Sequence, residues 1–564
     1  GRGLLDIVFA PLDPLARGFV GGVVGLHAWL EKGILRQLVV VGGLVAGAWF
    51  TSTALMPKLE YLPNGNRNLV FGIVIPPPGY NLDELVALGE TIEKQVAPYW
   101  NVEPGSEEAK KLGGTPLSQF FFVARGRQVF MGMRAHDALR AGELVPVMQR
   151  IGATLPGTFL IASQASLFER GLTGGRSIDV EITGPKLEHL VAVGGRALGQ
   201  VYGLIPGVQA RPVPSLDLSN PEVHVLPRWS RAAAVGLGAD ELGYTVNALV
   251  DGAYAGDYLV DGEKIDMTIV GQEKFASRLE DLGELTIATP TGDLVPLRAV
   301  ADIELASGPE QINRRERERA ITVQVRPPDT VPLEEALDLV TENIVKPLEA
   351  TPVAQGGIQG GPYQIRLAGT ADKLQATWKA MSFNLLLAVL ITYLLMAALF
   401  ESWLHPFVIL FSVPLGAAGG IAGLWALNQY ILPAGTVQAL DVLTMIGFVI
   451  LVGTVVNNAI LIVHQSLIHI REDKDDVREA VRKSVASRIR PIFMTVTTTI
   501  LGLMPLVLRP GAGSELYRGL GSVLVGGLLV STIFTLFLVP TLFRLVMGAK
   551  GALAGLLRLG PADA

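Results

Sequence analysis

Residues 443–466 read LTMIGFVILVGTVVNNAILIVHQS, a run whose only ionisable side chain is one histidine. About 20 apolar residues in a helix span the hydrocarbon core of a bilayer, so this segment by itself predicts a membrane protein. Five further runs have the same character: Ile34–Thr53, Phe383–Phe400, Pro406–Leu427, Pro491–Leu508 and Leu520–Met547. The sequence therefore predicts a polytopic α-helical bundle of six spans, with one span before a long polar stretch and five after it.

The composition of the 564-residue chain agrees with this and excludes several functional classes. Charged residues make up 17% of the chain, whereas soluble domains carry about 25%. The net charge of −6 gives no attraction to nucleic acid, and the absence of cysteine excludes disulfides and thiolate metal sites. There is no GxxxxGK[ST] phosphate-binding loop, which argues against ATP as the energy source. We expect neither an enzyme nor a cofactor.

The distribution of basic residues predicts the orientation in the membrane. The segment from Arg471 to Arg490 is the most basic connection between spans, and such connections remain in the cytoplasm. Counting spans from it places the polar stretch, roughly Pro57 to Lys379, on the outer side. The N-terminal segment 1–33 is weakly amphipathic, and three arrangements are open for it. It lies in the plane of the membrane interface, it packs on the helical bundle, or it is a flexible segment that precedes the first span.

The outer stretch contains a recurring unit of strand, turn and helix. The three copies begin at Leu69, Ser177 and Ile321, and each has an alternating β-branched strand, a Pro- or Gly-bearing turn and a helical apolar pattern. This order predicts an α+β domain built from ferredoxin-like units. Between the second and third copies, Asp217 to Ile303 reads as a β-rich insert, with a hairpin turn at Asp261-Gly262.

Several motifs in this order resemble the C-terminal half of resistance-nodulation-division (RND) efflux pumps of the acriflavine-resistance, or hydrophobe-amphiphile efflux, type. The motifs are NPEVHV at 220–225, AAAVGL at 232–237, VPLRAVA at 295–301, FESW at 400–403, GTVVNNAILIV at 453–463, RIRPIFMT at 488–495, LMPL at 503–506 and GAGS at 511–514. Together they cover nearly the whole chain.

The resemblance implies a trimeric, proton-driven inner-membrane antiporter with its large domain in the periplasm, a periplasmic adaptor and an outer-membrane channel. It also implies that this chain is the second half of such a pump and that the N-terminal half supplies the transmembrane aspartates that bind protons. The domains expected on this basis are the segment 1–33, a first span at 34–56, a first porter subdomain at 57–175, a second porter subdomain at 176–216 and 306–380, a docking subdomain at 217–305, five spans at 381–548 and a cytoplasmic tail at 549–564.

Four residues are candidates for a proton relay. Asn457 occupies the position where drug-exporting members of the family have a lysine, and Thr495 the position of a relay hydroxyl. Asn458 follows Asn457, and Arg488 is a cation that could approach the aspartates of the other half in place of the missing lysine. The competing interpretation is that the asparagines only join helices, and His464 is expected to be interfacial.

The Phe-rich strands suggest a substrate cleft for an apolar or amphipathic compound, with Phe120, Phe122 and Phe130 as its candidate residues. Met131 and Met133 leave open a copper or silver exporter, although a core role is the simpler reading and no metal site is predicted. Two further alternatives are a non-transporting scaffold half and a membrane-anchored enzyme, for which no nucleophile–base pair is apparent.

Overall fold

The computed structural model describes residues 12–556 apart from 31, 63–64, 66, 78, 101, 126–127, 168–175, 273–277, 329, 433–436, 510 and 512–513. Parts of the predicted N-terminal segment and tail, residues 1–11 and 557–564, and part of the motif at 511–514 lie outside the described residues. The first helices are α1 (Leu12–Leu30) and α2 (Ile34–Ala54).

Helix α1 packs on the membrane bundle, which is the second of the alternatives for the N-terminal segment. Val23 is buried among side chains of the later membrane helices, and Nε2 of His27 hydrogen-bonds to the carbonyl oxygen of Leu536 at 2.6 Å. That carbonyl is available because Pro540, four residues further along the same helix, has no N–H to donate to it. The sequence pattern alone did not distinguish this packing from an interfacial position.

The first α+β unit follows α2 and has the connectivity β-α-β-β-α-β. Its elements are β1 (Val70–Ile75), α3 (Leu82–Trp100), α4 (Glu107–Lys111), β2 (Leu117–Arg125), β3 (Gln128–Ala135), a 3₁₀ turn (Ala138–Glu143), α5 (Leu144–Ala153) and β4 (Phe159–Gln164). The strand order is β2-β3-β1-β4 with antiparallel neighbours, which is the ferredoxin-like arrangement. Helices α3 and α5 cover one face of this sheet.

A second unit begins with the same connectivity. Its first elements are β5 (Ile178–Gly184), α6 (Leu187–Leu204) and β6 (Gln209–Val213). An insert then leaves the unit and returns to it through the antiparallel pair β7 and β12, in which Asn220 lies opposite Gly308.

The insert is β-rich. Its elements are β7 (Asn220–Pro227), α7 (Trp229–Ala234), α8 (Ala239–Val250), β8 (Ala253–Val260), β9 (Glu263–Ile269), α9 (Leu279–Glu284), β10 (Thr286–Ala288), β11 (Leu294–Pro296), α10 (Leu297–Val300) and β12 (Ala301–Gly308). The predicted hairpin is confirmed: β8 and β9 pair antiparallel, and Asp261 and Gly262 between them both have positive φ, at 51° and 86°.

The second unit is completed after the insert. Its remaining elements are β13 (Asn313–Arg315), β14 (Glu318–Arg326), α11 (Leu333–Val340), a π turn (Thr341–Val345), α12 (Lys346–Ala350), a 3₁₀ turn (Val353–Gln355) and β15 (Gln364–Gly369). Strand β14 pairs with β6 and β5, and β5 pairs with β15, so the first unit's strand order recurs as β6-β14-β5-β15. β15 continues into the next membrane helix without a loop.

The predicted six spans are confirmed: within the described residues, six helices have the length and composition to cross a membrane. After α2 they comprise α13 (Thr370–Phe400), α14 (Leu404–Leu410) continued by α15 (Ser412–Ala426) and a π turn (Leu427–Ile431), α16 (Val442–Arg471), α17 (Val477–Leu508) and, after a 3₁₀ turn (Ser514–Tyr517), α18 (Arg518–Leu556).

Helix α17 starts 14 residues earlier than the predicted span, at Val477 rather than at Pro491. The carboxylate of Asp476 accepts a hydrogen bond from the N–H of Arg478 and caps the helix. Val481 and Val485 then bury one face of the basic segment, so this segment is an amphipathic helical extension and not a loop. Pro491 consequently lies inside the helix. A proline is tolerated there when other groups satisfy the backbone hydrogen bonds that it removes.

Helices α15 and α18 cross at backbone contact, where glycines of the two helices face each other. A Cβ atom on Gly526 would lie 2.5 Å from the carbonyl oxygen of Gly419, and one on Gly423 would lie 2.6 Å from that of Ser522. The Ser522 hydroxyl donates a hydrogen bond of 2.8 Å to the Gly423 carbonyl. Small residues are therefore required for this close approach.

Candidate functional site

The two adjacent asparagines in the middle of α16 face different surroundings. Asn457 is exposed, whereas Asn458 is 4% exposed and its Nδ2 lies 3.4 Å from Oγ1 of Thr532 on α18. Successive residues on a helix point about 100° apart, since 3.6 residues make one turn. Of the two relay candidates, Asn458 therefore points into the bundle formed by this chain, and its contact is of the helix-joining kind that was the competing interpretation.

Asn457 belongs to an uncovered stripe along α16. The exposed residues of this stripe are Ile446, Ile450, Gly453, Asn457 and His464. Their spacing follows one face of a helix, and Asn457 lies near its midpoint. The only amide at the centre of the stripe therefore faces away from the bundle formed by this chain.

Thr495 lies on a similarly exposed face of α17. Its hydroxyl donates to the main-chain oxygen of Ile492 at 3.0 Å or of Pro491 at 3.2 Å. A hydroxyl that donates in this way retains lone pairs that accept a hydrogen bond from a water or a carboxylic acid. Thr498 and Thr499 are also exposed and also donate to carbonyls of their own helix.

The contact between Arg488 and Gln465 fixes how α16 and α17 align. Nη2 of Arg488 donates to Oε1 of Gln465 at 2.5 Å. Because the helices run antiparallel, moving eight residues along α16 to Asn457 corresponds to moving eight along α17, to the turn that contains Thr495. Asn457 and Thr495 therefore lie at the same depth, whereas Arg488 lies about 12 Å away along the helix axis. The structure does not bring Arg488 to the other relay candidates.

The three candidate phenylalanines of the first sheet lie on two different faces. Phe120 and Phe122 are on the helix-covered face, where Phe120 packs against Trp100 and Phe122 against Gly89. Phe130 is on the opposite face. Placing Phe120 and Phe122 in a substrate cleft was wrong, because α3 covers the side of the sheet to which they point.

Phe121, between the two core residues, is on the uncovered face and was missed by the sequence analysis. Its ring lies edge-on to that of Phe71, at 6.1 Å between centroids, and stacks over Gly132, where a Cβ atom would be 2.2 Å from the ring. Phe121 is 40% exposed and Phe159, on the same face, is 45% exposed. The alternation of side chains along the strands could have separated the residues of one sheet face from those of the other. It could not have told which of the two faces the helices cover.

Met131 and Met133 are fully buried on the helix-covered face of the first sheet. This contradicts their use as ligands of an open copper or silver site. Among the described residues, one group of three His, Asp or Glu side chains is close enough to share an ion: His469, Asp473 and Asp475. It lies at the basic, predicted cytoplasmic end of α16, where Asp475 already binds Lys483 at 2.7 Å.

A cavity of about 590 Å³ lies between the two α+β units, where edge strands β4 and β6 approach each other. The first unit contributes Pro76, Pro77 and Phe159, and the second contributes Tyr202 and Arg211. None of the three predicted cleft phenylalanines lines it. Its walls are mostly apolar, and their charged residues are Arg211 and the carboxylates Asp217 and Glu310.

The uncovered face of the second sheet differs from that of the first. Glu181 lies there at 3.1 Å from Arg315 and 3.8 Å from Arg366, and Nε of Arg211 donates to Gln324. Burial raises the pKa of the neighbouring Asp179 above its ordinary value, and the Glu181 charge adds to this. The first sheet thus offers an aromatic surface and the second a charged one.

Comparison with known proteins identifies relatives along nearly the whole chain. Residues 25–547 match the profile of the AcrB/AcrD/AcrF family. The cobalt-zinc-cadmium resistance protein CzcA of Cupriavidus metallidurans is 26% identical over 535 residues, which are 92% of this chain and 48% of CzcA. Multidrug resistance protein MdtC of Proteus mirabilis is 29% identical over 280 residues, 49% of this chain and 25% of MdtC.

A solved structure described as a heavy metal efflux pump, crystal form II, superposes with a TM-score of 0.76 at 22% identity. The match covers 97% of this chain and 54% of that structure. At this identity the similarity shows the fold. Some curated relatives, such as CzcA, match most of this chain. The chain spans about half the length of those relatives.

Proposed function

Because the chain belongs to the AcrB/AcrD/AcrF family of RND exporters, we propose that it is the second half of a proton-driven antiporter. The first half, with the proton-binding aspartates, comes from outside this sequence. In this proposal the assembled pump is a trimer in the inner membrane, both α+β units are periplasmic porter subdomains, and the β-rich insert is the docking subdomain for a periplasmic adaptor and an outer-membrane channel.

The observation that carries the proposal is that α16 and α17 each expose a polar residue in the middle of a membrane span. Asn457 and Thr495 lie at the same depth on faces that this chain leaves open, and a polar group in that position is costly in lipid. Packing of the other half against these faces would cover both residues. An amide can accept from a protonated carboxyl group and donate to an ionised one, so Asn457 is suited to orient a carboxylate that changes its protonation state.

The uncovered face of the first sheet supports an apolar or amphipathic substrate. Phe71 and Phe121 form an aromatic pair there. The cavity next to Phe159, on the same face, adds Arg211, Asp217 and Glu310. Such a site would bind an aromatic or aliphatic body by burial, and its one guanidinium and two carboxylates would contact a polar or charged end of an amphipathic compound.

Export of divalent metal ions is the second candidate. Relatives that match over most of the chain are named for cobalt, zinc and cadmium resistance and for cation efflux. If the substrate is a metal, its ligands are expected among the polar groups of the second sheet or in the missing half, because Met131 and Met133 are inaccessible.

The test is transport by both halves reconstituted in vesicles under an imposed pH gradient. Phe121→Ser, on the uncovered face, is expected to lower export of an apolar dye at least tenfold. Leu259→Ser, an equally polar change at an exposed residue of the β8–β9 hairpin, serves as the matched control. Uptake of cobalt or zinc but not of dye, unaffected by Phe121→Ser, would establish the metal candidate. Binding of the two halves without any transport would favour the scaffold alternative.

A further inference from the structure

His464 is an ionisable side chain that the relay described above does not use. It is the only ionisable residue of α16 between Val442 and Ile468, and it is exposed. It follows Asn457 by seven residues, which is two helical turns and about 10 Å along the axis, so both side chains lie on the same open stripe. An ionisable group within a membrane span is costly, and such groups commonly mark ion or proton pathways.

The ring contacts of His464 place it near the predicted cytoplasmic end of the span. Its ring lies edge-on to that of Phe400, with 6.3 Å between the centroids and 66° between the planes. Phe400 is the last residue of α13, and its ring also meets that of His405 at the start of α14, at 6.2 Å. Counting spans puts the connection between α13 and α14 on the cytoplasmic side. The imidazole of His464 therefore lies where the open stripe approaches the inner surface of the membrane.

Neither ring nitrogen of His464 is hydrogen-bonded to another group within the described part of the chain. The neighbouring Gln465 differs, because it accepts from Arg488 at 2.5 Å and lies 3.2 Å from Nε2 of His469. A neutral imidazole has one N–H donor and one acceptor nitrogen. Both functions of His464 are therefore available to water or to a group of the other half.

The charged and titratable groups on the elements around His464 are mostly basic. They are Arg471, His469 and Asp473 at the end of α16, Glu401 after α13, His405 on α14, Arg488 on α17, and Arg544 and Lys550 on α18. Arg471 is exposed and lies a further seven residues along the same stripe. Since none of the described groups hydrogen-bonds to His464, its proton exchanges with water or with the other half.

We propose that His464 is the inner proton carrier of the transporter, passing protons from the level of Asn457 to the cytoplasm. The proposal rests on the proton-driven function proposed above. The acceptor nitrogen of the neutral imidazole takes a proton, through a chain of waters, from a carboxylic acid of the other half, which leaves a carboxylate and an imidazolium. The other ring nitrogen then releases its proton to cytoplasmic water as hydronium, and the imidazole is neutral again. Histidine side chains are suited to both steps because they change protonation near neutral pH.

Cysteine labelling tests whether cytoplasmic water reaches this position, and the background is clean because the chain has no cysteine. His464→Cys and Ile450→Cys are a matched pair, since both positions are exposed on the stripe and seven residues from Asn457, one on the inner and one on the outer side. In the assembled pump, we expect a membrane-impermeant thiosulfonate on the cytoplasmic side to modify His464→Cys at least tenfold faster than Ile450→Cys. A rate no higher than that of Ile450→Cys would overturn the proposal.

Export by both halves in vesicles, measured against the pH of the cytoplasmic side, tests the carrier role. His464→Gln keeps a polar side chain that cannot carry a proton, and it is expected to lower export at least tenfold. His464→Glu restores a proton-binding group and is expected to export. Its profile should lie about two pH units lower, because a carboxylic acid releases its proton at lower pH than an imidazolium. His469→Gln, the same change at the end of the same helix, is the matched control and should export like wild type.

Co-purification of the two halves separates this role from a structural one. We expect His464→Gln to bind the other half as wild type does. Loss of binding together with loss of export, or an inactive His464→Glu, would show that the imidazole is only a packing contact. Undiminished export by His464→Gln would also overturn the proposal while leaving the proposed function intact. If wild type itself shows no proton-coupled export, the proposed function is wrong.

Discussion

Replacing Asp441 by Asn should make the protein more stable at neutral pH and leave its stability nearly unchanged in acid. This carboxyl group is 1% exposed and caps α16 by accepting from the N–H of Thr444, and its pKa is about 6 in the folded protein, against 3.8 for the unperturbed group. The folded state therefore holds the proton more tightly than the unfolded state, so stability falls as the pH rises from 3.8 to 6 and is constant above. Asparagine never ionises, so the variant avoids this loss.

The magnitude follows from the two pKa values. The difference of 6 − 3.8 corresponds to about 3 kcal/mol. Asparagine caps helices about as well as aspartate, but a neutral cap loses up to about 1 kcal/mol of interaction with the helix dipole. We therefore expect Asp441→Asn to gain about 2–3 kcal/mol at pH 7.5 and nothing at pH 4.

The assay is thermal unfolding in detergent from pH 4 to pH 8, with Asp476→Asn as the control. Asp476 is exposed, so its substitution should shift Tm by a similar small amount at every pH. Two results would refute this reasoning: a Tm of Asp441→Asn below that of wild type at pH 7.5, or the same pH dependence of Tm in both variants. Either would show that the ionised Asp441 carboxylate does not destabilise the folded protein.

Four further outcomes test the relay, the sheet and the helix packing. Asn457→Lys should shift the pH profile of export downward in vesicles containing both halves, because a cation favours the ionised form of nearby carboxylates; an unchanged profile would place the relay elsewhere. Asn458→Leu should lower Tm by removing a contact worth about 0.6–2 kcal/mol while the pH profile stays the same. Phe122→Ser should unfold the first unit, at a cost of about 3–5 kcal/mol, as measured by protease resistance, whereas Phe121→Ser should leave the unit folded. Gly526→Leu should separate α15 from α18 and reduce the yield of folded protein in detergent, since its Cβ would meet the Gly419 carbonyl.

The phenylalanines of the first sheet show what the sequence pattern predicts and what it does not. Alternation along β2 places Phe120 and Phe122 on one side and Phe121 on the other. Which side receives α3 and α5 depends on how the helices cross the sheet, and nothing in the local pattern encodes that. The sequence analysis selected the wrong pair for this reason.

The same limit applies in the membrane. The pattern of α16 gives its length and identifies Asn457 and Asn458 as polar residues within it, but their directions depend on the position of α18. Gln465, the partner of Arg488, lies on the preceding helix, 23 residues away, and Glu60, the neighbour of Asp441, comes from a distant part of the chain. Neither pairing has a signal in the local sequence.

The sequence alone determined the six spans and the Asp261-Gly262 hairpin, and it showed the repeated pattern of strand, turn and helix. These features depend on interactions within a few residues or on transfer of one segment from water to lipid, and both can be read from composition and spacing. Only the tertiary structure decided which faces remain open and which carboxylates are buried together. The burial that raises the pKa of Asp441, and the contact between Asn458 and Thr532, 74 residues apart, exist only once separate segments of the chain have packed against each other.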